Sequence, residues 1–336
     1  MRTNQRLAVL ATAALAVLAP AATATAAAAS PAARNAIAAI RLHKTIDVSS
    51  FPTAIAVNPR TDTIYTANED STVSVIDGRA NKVRASIPAP SGSGNPDAIA
   101  VNPTSNTIYT ANTFDNTVSV IDGQTNTVVA TIPVGSIPTG VAADPMTNTI
   151  YVSNRNDNTV SAINGQTNTV VATIPLGDLS NSPLAIAVDP TTNTIYTANG
   201  SNTVSVISGQ AHTLVATIPV GLVPFAIAAN PATATVYVTN FEGNTVSVID
   251  GQTNTVVATI LGAIFPTGVA VNPLTDTIYV SSETDPGVLS VISGQTSTIV
   301  ATISAGRSPV AVAVNPATGR IYMAGPGDRS VSVFSP

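Results

Sequence analysis

Asn116 to Ile132 reads NTVSVIDGQTNTVVATI, and the same letters return without a change at Asn244 to Ile260. Looser copies stand at Ser71 to Ile87, Asn158 to Ile174, Asn202 to Ile218 and Gly287 to Ile303, with a shortened one at Arg329 to Phe334. Within a copy, Val118 and Val120 alternate with polar neighbours, which reads as a half-buried strand. Asp122-Gly123 turns the chain, and Thr127 to Ile132 makes a second β-type run. Upstream, Ala98 to Val101 and Thr107 to Ala111 are two further short runs separated by Asn102-Pro103, a turn starter. The period is therefore four short strands. It is paced by the seven tyrosines of the chain, Tyr65, Tyr109, Tyr151, Tyr196, Tyr237, Tyr279 and Tyr322, at spacings of 44, 42, 45, 41, 42 and 43.

Four strands every ~40 to 45 residues is the blade period of a β-propeller. The expected fold is thus all-β, a seven-bladed β-propeller with four-stranded blades. A parallel β-helix or a flat stack of sheets shares the short strands, and the ends of the array decide against both. The last copy runs through Val310 to Val314, Arg320 to Ala324 and Ser330 to Phe334 and then lacks a fourth strand. Near the start, Thr45 to Pro52 aligns position by position with Thr131 to Pro138, so Ile40 to Ile46 is an orphan fourth strand. An N-terminal strand completing the last blade closes a ring. Proline at Pro88, Pro133, Pro175 and Pro219 is expected to blunt the outer edges. Small residues such as Ala54, Ala56, Gly140 and Ala142 let inner strands converge on an axis.

Residues 1–29 read as a secretory signal peptide: Arg2 and Arg6 are the charged start, Leu7 to Leu18 the apolar run, and Ala24 to Ala29 holds small-residue cleavage sites. A membrane anchor is the competing reading, but the apolar run is shorter than the ~20 residues a span needs. Residues 30–39 are an Ala-rich flexible leader, and 40–336 the propeller. The expected address is outside the cytoplasm, secreted or associated with the cell envelope, with no membrane span in the mature chain. There is no cysteine, which excludes disulfides, thiolate metal sites and lipidation through sulfur. Lys and Arg number 13 against 18 Asp and Glu, a net charge of −5 that becomes −7 once Arg2 and Arg6 are removed. With Lys44 and Lys82 the only lysines, nucleic acid is excluded as a partner.

The chain resembles the YVTN-repeat β-propellers, which include YncE-like periplasmic proteins and surface-layer-associated proteins. The naming motif is intact at Tyr237-Val238-Thr239-Asn240, nearly so at Tyr151-Val152-Ser153-Asn154, and reads Tyr-Thr-Ala-Asn at Tyr65, Tyr109 and Tyr196. Ser282 and Gly325 replace the motif asparagine in the last two copies. The resemblance covers Arg41 to Pro336 and implies a seven-bladed ring outside the cytoplasm, a binding or scaffolding module without a shared catalytic residue.

In a propeller the crossings between blades share one face with the turns between second and third strands. The opposite face carries the monotonous Asn-Pro, Asp-Gly and Ser-Gly turns. The first face varies, with longer crossings at Pro90 to Asn95 and Asp178 to Ser182 and a longer turn at Ser282 to Pro286. It collects the candidate partner-binding residues Glu69, Asp70, Phe114, Asp115, Arg155, Asp157, Phe241, Glu242, Glu283, Arg307 and Asp328, together with Phe51, Phe265, Asp285 and Arg329. Rings beside carboxylates and arginines suit an extracellular glycan or protein; a merely solvated rim is the bland alternative.

A second candidate group is the channel mouth, the slot after each inner-strand proline: Thr53, Asp97, Thr139, Phe225 and Thr267, with Leu184 and Val310 in the remaining copies. Only Asp97 is ionisable there, short of the six or more oxygens a hard cation wants. No metal, cofactor or catalytic residue is therefore assigned. His43 and His212 belong on the rim, away from any base role. The tyrosines read as packing residues with locally bonded hydroxyls. The resulting expectation is a non-catalytic binding or scaffold module. The alternatives are a lactonase-like or quinoprotein-like propeller enzyme at the channel mouth and a structural surface-layer component.

Overall fold

The alternation in TVSVID becomes the two faces of a strand. Along Thr117–Asp122, Val118 and Val120 enter one buried cluster with Val141, Ile150 and Val152 of the following blade. Ile121 enters another with Tyr65, Val73 and Val75 of the preceding blade. Every blade is thus apolar on both faces, and its core is shared with its neighbours. The structure, a computed structural model, describes residues 40–88, 96–177 and 181–336. The signal peptide and leader at 1–39, the lengthened crossing at 89–95 and residues 178–180 of the other long crossing lie outside the described residues.

Among these residues the strands form seven four-stranded antiparallel sheets arranged in a ring. Blades I to VI are residues 52–88, 96–133, 138–175, 183–219, 224–261 and 266–304, each running in chain order from inner to outer strand. Blade VII takes Ala311–Asn315, Arg320–Gly325 and Ser330–Ser335, and its outer strand is Arg41–Asp47, paired antiparallel to Ser330–Ser335. Ile46 and Val48 then share a buried cluster with Tyr322 and Val331 of blade VII and Ile55, Ile64 and Ile76 of blade I. The seam between first and last blade is therefore as apolar as any other junction.

Polar bonds reinforce the junctions on the face of the monotonous turns. The turn between first and second strands ends on a left-handed residue: Asp62, Asn106, Asn148, Asn193, Ala234 or Asp276, with φ of 50 to 54°. Asn58, Asn102, Asn230 and Asn315 each donate from Nδ2 to the Oδ1 of that residue in the next blade, at 2.7–2.8 Å. The last of these, Asn315 to Asp62, crosses the seam, as does a hydrogen bond from the Arg320 guanidinium to the Gly78 carbonyl. Asp276 is partly buried, which raises its carboxyl above the ordinary value, while the Asn230 amide pulls the other way.

The same left-handed residue explains the Asp-Gly and Ser-Gly pairs. Its carbonyl accepts the N–H of Gly78, Gly123, Gly165, Gly209, Gly251 or Gly294 at 2.8–2.9 Å. A Cβ on Gly123 would lie 2.7 Å from the Asn106 carbonyl oxygen. Glycine is required by this close approach, and the two turns of each of blades I to VI are tied into one.

The outer edges are blunted by more than proline. Each of the seven outer strands carries a bulge that leaves one residue unpaired: Arg84, Val129, Val171, Val215, Val257, Val300 and His43. A bulge twists the edge away from flat pairing with another sheet. His43 is exposed there, and His212 is half-buried at a left-handed turn position, as the rim reading expects.

The tyrosines are all buried, with at most 4% exposure, and the Tyr151 hydroxyl, besides its local contact with Thr149, donates to Asn193 Oδ1 of the next blade at 3.3 Å. The hydroxyls of Tyr65, Tyr109 and Tyr322 are buried beside the side chains two residues before them, Thr63, Thr107 and Arg320. The ring carries its oxygen to the turns of the next blade, where a Cβ on Gly209 would lie 2.7 Å from the Tyr151 hydroxyl and one on Gly251 2.7 Å from that of Tyr196. The Thr and Ser of the NTVSV motif hold the turn they follow. Asn112 Nδ2 donates to Thr117 Oγ1 (3.0 Å) and Ser119 Oγ (2.8 Å), and Asn68, Asn154, Asn199 and Asn240 make the same pair of bonds. The YVTN asparagine and NTVSV occur together because one binds the other across the turn.

Candidate binding face

Three of the crossings between blades are held from both sides by their neighbours. Asn116, Asn202 and Asn244, the first letters of NTVSV, accept from the N–H of Ile137, Val223 and Phe265 at 2.8 Å. The carbonyls of those three residues accept the N–H of Arg155, Phe241 and Glu283, in the next blade's turn, at 2.8–2.9 Å. Ile137, Val223 and Phe265 are thereby kept at φ of 52, 54 and 45°, each just before a proline. A left-handed backbone is an outlier for β-branched or bulky residues and persists where surroundings over-determine it. These three crossings form a fixed frame for the side chains they carry.

The candidate residues on this frame fall into three sectors. On blades II and III, Phe114 is 69% exposed, with half-buried Asp115 beside it in sequence. Arg155 is exposed, and Asp157 accepts the Ser136 N–H at 2.7 Å. At the seam of blades VI, VII and I, Arg307 pairs with Asp285 at 3.3 Å and its N–H donates to Asp328 at 2.7 Å. Arg329 lies over the Phe51 ring, 4.5 Å from its centroid. Glu69 is exposed near that ring, its N–H donating to the Phe51 carbonyl at 2.9 Å, and Asp70 accepts from Thr72 Oγ1 at 2.6 Å. Much of the charge in these two sectors is engaged in turns and pairs.

The third sector, on blades V and VI, is different. Phe225, Phe241 and Phe265 form a row, with centroids 5.8 Å apart at 36° and then 5.4 Å apart at 43°. Tilted rings at these separations attract one another, yet Phe225 and Phe265 remain 42% and 43% exposed. Leu222 and Ile264, in the crossings on either side, are 56% and 55% exposed. Glu242 and Glu283 stand beside the row, exposed. Sequence reasoning had Phe225 in the channel-mouth group and passed over Leu222 and Ile264. The pairing of Pro224 with Asn240 brings Phe225 and Phe241 to adjacent strand ends, a register that the repeat alignment already contains.

At the channel mouth the threonines are latches. Thr53, Thr139 and Thr267 donate to the carbonyls of Pro96, Pro183 and Pro309 in the next blade at 2.8–3.0 Å. In blade II the slot holds Asp97, and Thr113 from the adjacent turn lies 2.7 Å from the Pro138 carbonyl and 2.8 Å from Asp97 Oδ2. Asp97 thus sits in a hydrogen-bonded substitute for the latch. The other ionisable side chains on inner strands, Asp144 and Asp189, lie buried at the far ends and accept turn N–H groups. Among the described residues no group of three or more His, Asp and Glu is placed to hold a metal ion, and no helix is long and apolar enough to cross a membrane. On the opposite face a cavity of about 390 Å³ opens between blades IV and V, with Asn193, Ser208, Gln210 and Asn254 among its lining. Ser208 stands where Asp122 and Asp250 stand in other copies.

No protein-family model matches the chain, and no curated protein matches it in sequence. Among solved structures it is similar to a chain of hydrazine synthase from Kuenenia stuttgartiensis, at 20% identity and a TM-score of 0.76 over 86% of this chain and 97% of that one. At that identity the likeness is one of fold alone, and the fold is a seven-bladed β-propeller.

Proposed function

We propose that this chain is an exported, non-catalytic propeller of the YVTN-repeat type that captures a glycan or protein partner through the face carrying the crossings. The observation that carries this reading is the row Phe225–Phe241–Phe265, in which Phe241 touches both other rings and these remain open to solvent. Contiguous exposed apolar surface edged by polar groups is characteristic of interaction sites. Export is supported by the charged start, apolar run and small-residue sites within residues 1–29. The motif pairing explained above supports the family reading.

The test is an oligosaccharide and peptide array probed with the full chain and with Phe241→Ala. Truncating a central aromatic anchor is expected to weaken capture by about tenfold or more, at an unchanged melting temperature. Partners held equally well by the variant would move the binding site away from this face.

A further inference from the structure

We infer that the aromatic row on blades V and VI is the docking surface for an extended basic segment of another protein, with large apolar side chains alternating with Lys or Arg. This rests on the binding reading above and adds the chemistry of the partner. Its first support is charge. Between Arg155 and Arg307 the chain contains no Lys or Arg, while it holds eight Asp and Glu. Blades IV, V and VI lie wholly inside that stretch, so this part of the ring offers a field of one sign. Glu242 follows Phe241 directly, and the Glu283 N–H is bonded to the Phe265 carbonyl, so both exposed carboxylates are tethered at the row. Among the described residues neither pairs with a cation, and Arg307, where basic residues resume, is paired with Asp285.

The second support is what the surface would do to other occupants. A neutral glycan covering the row would strip water from Glu242 and Glu283 without supplying a countercharge, a cost that a Lys or Arg offsets. An anionic lipid surface meets like charge. Geometry agrees with an extended segment. Alternate side chains of a strand repeat at roughly 6.6–6.8 Å, near the 5.8 and 5.4 Å steps of the row. Apolar residues at i and i+2 would seat on either side of Phe241 with a basic residue between them turned to the rim. Because the frame fixes the row beforehand, little ordering is left to oppose binding.

The experiment measures fluorescence anisotropy of three labelled peptides, KRFKFKR, EDFEFED and KRSKSKR, titrated with the full chain. KRFKFKR should bind at least about tenfold tighter than either of the others, a difference of ~1.4 kcal/mol. Phe241→Ala should weaken it by about tenfold, and Glu242→Gln with Glu283→Gln should weaken it severalfold and flatten its salt dependence. Met146→Ala, 73% exposed on the opposite face in blade III, should leave it unchanged, and melting temperatures show that each variant is folded. Equal binding of EDFEFED, binding indifferent to Phe241→Ala, or no binding of any peptide would overturn the inference. If an oligosaccharide, or a second copy of the chain seen by sedimentation, were held in a Phe241-dependent way, the partner class would fall and the binding face would stand. With no Phe241-dependent partner of any kind, both would fall.

Discussion

The tyrosine of each blade places a hydroxyl where water does not reach. Burial raises the pKa of all seven, with Tyr151, Tyr196 and Tyr279 pushed up to about 12; the carboxylates of Asp144 and Asp189 add to the effect at Tyr151 and Tyr196. An unfolded tyrosine titrates near ~10, so above that pH the unfolded chain releases protons that the folded chain retains. The stabilising contribution is complete below pH ~10 and is lost as pH rises toward the folded pKa, by ~1.4 kcal/mol per pH unit for each proton retained. Melting temperature should therefore be flat on this account up to pH ~10 and fall steeply over the next two units, tracked against tyrosinate absorbance. Tyr109→Phe removes a buried hydroxyl that lies beside the Thr107 side chain. It should change stability by about 1 kcal/mol or less at pH ~7, with a shallower alkaline fall. An unchanged alkaline slope in that variant would mean that the Tyr109 proton is not withheld by folding.

At the scale of the element, the turn between second and third strands depends on one asparagine. Asn112 binds Thr117 and Ser119 and accepts from Thr110 Oγ1 at 3.2 Å, so Asn112→Ala leaves buried hydroxyls without partners. The expected cost is about 1–3 kcal/mol, read by denaturant unfolding. Ser282 occupies the equivalent place in blade VI with its hydroxyl buried and unpartnered, so Ser282→Ala should cost little. Equal losses in the two variants would mean that the amide clamp adds nothing. The strands themselves were legible because the same alternation recurs: the expected Thr107 to Ala111 and Thr117 to Ile121 each extend by one residue in the structure. The clamp was not, since spacing shows that two motifs occur together and cannot show which side chain holds which. The difference between YTAN and YVTN blades was equally hidden. Thr66, Thr110 and Thr197 satisfy the asparagine Oδ1 two residues on, whereas Val152 and Val238 leave Asn154 and Asn240 with a buried unpartnered oxygen.

On the scale of the whole molecule, seven near-equal blades carry an unequal face. Repetition accounts for the frame, so the ring and its closure could be read from register alone. The aromatic row is assembled from an inner strand, a turn and a crossing, and no periodic signal marks such a combination. Closure is where the whole ring is most exposed to test. Deleting residues 31–48 removes Arg41–Asp47 from blade VII and with it Ile40, Ile46 and Val48, each at most 8% exposed. Each such side chain contributes about 1.5–3 kcal/mol when fully buried. The loss also bares the edge of Ser330–Ser335, a row of unpaired backbone groups on a hydrophobic strand. The deleted protein should melt about 10 °C or more below the parent and scatter light on heating, with the damage centred at the seam. Asn315→Ala with Arg320→Ala removes the polar bonds of the same seam and leaves the strand pairing, so it should lower the melting point far less. A deletion variant as stable as the parent would mean that blade VII holds its place through the inner strands alone.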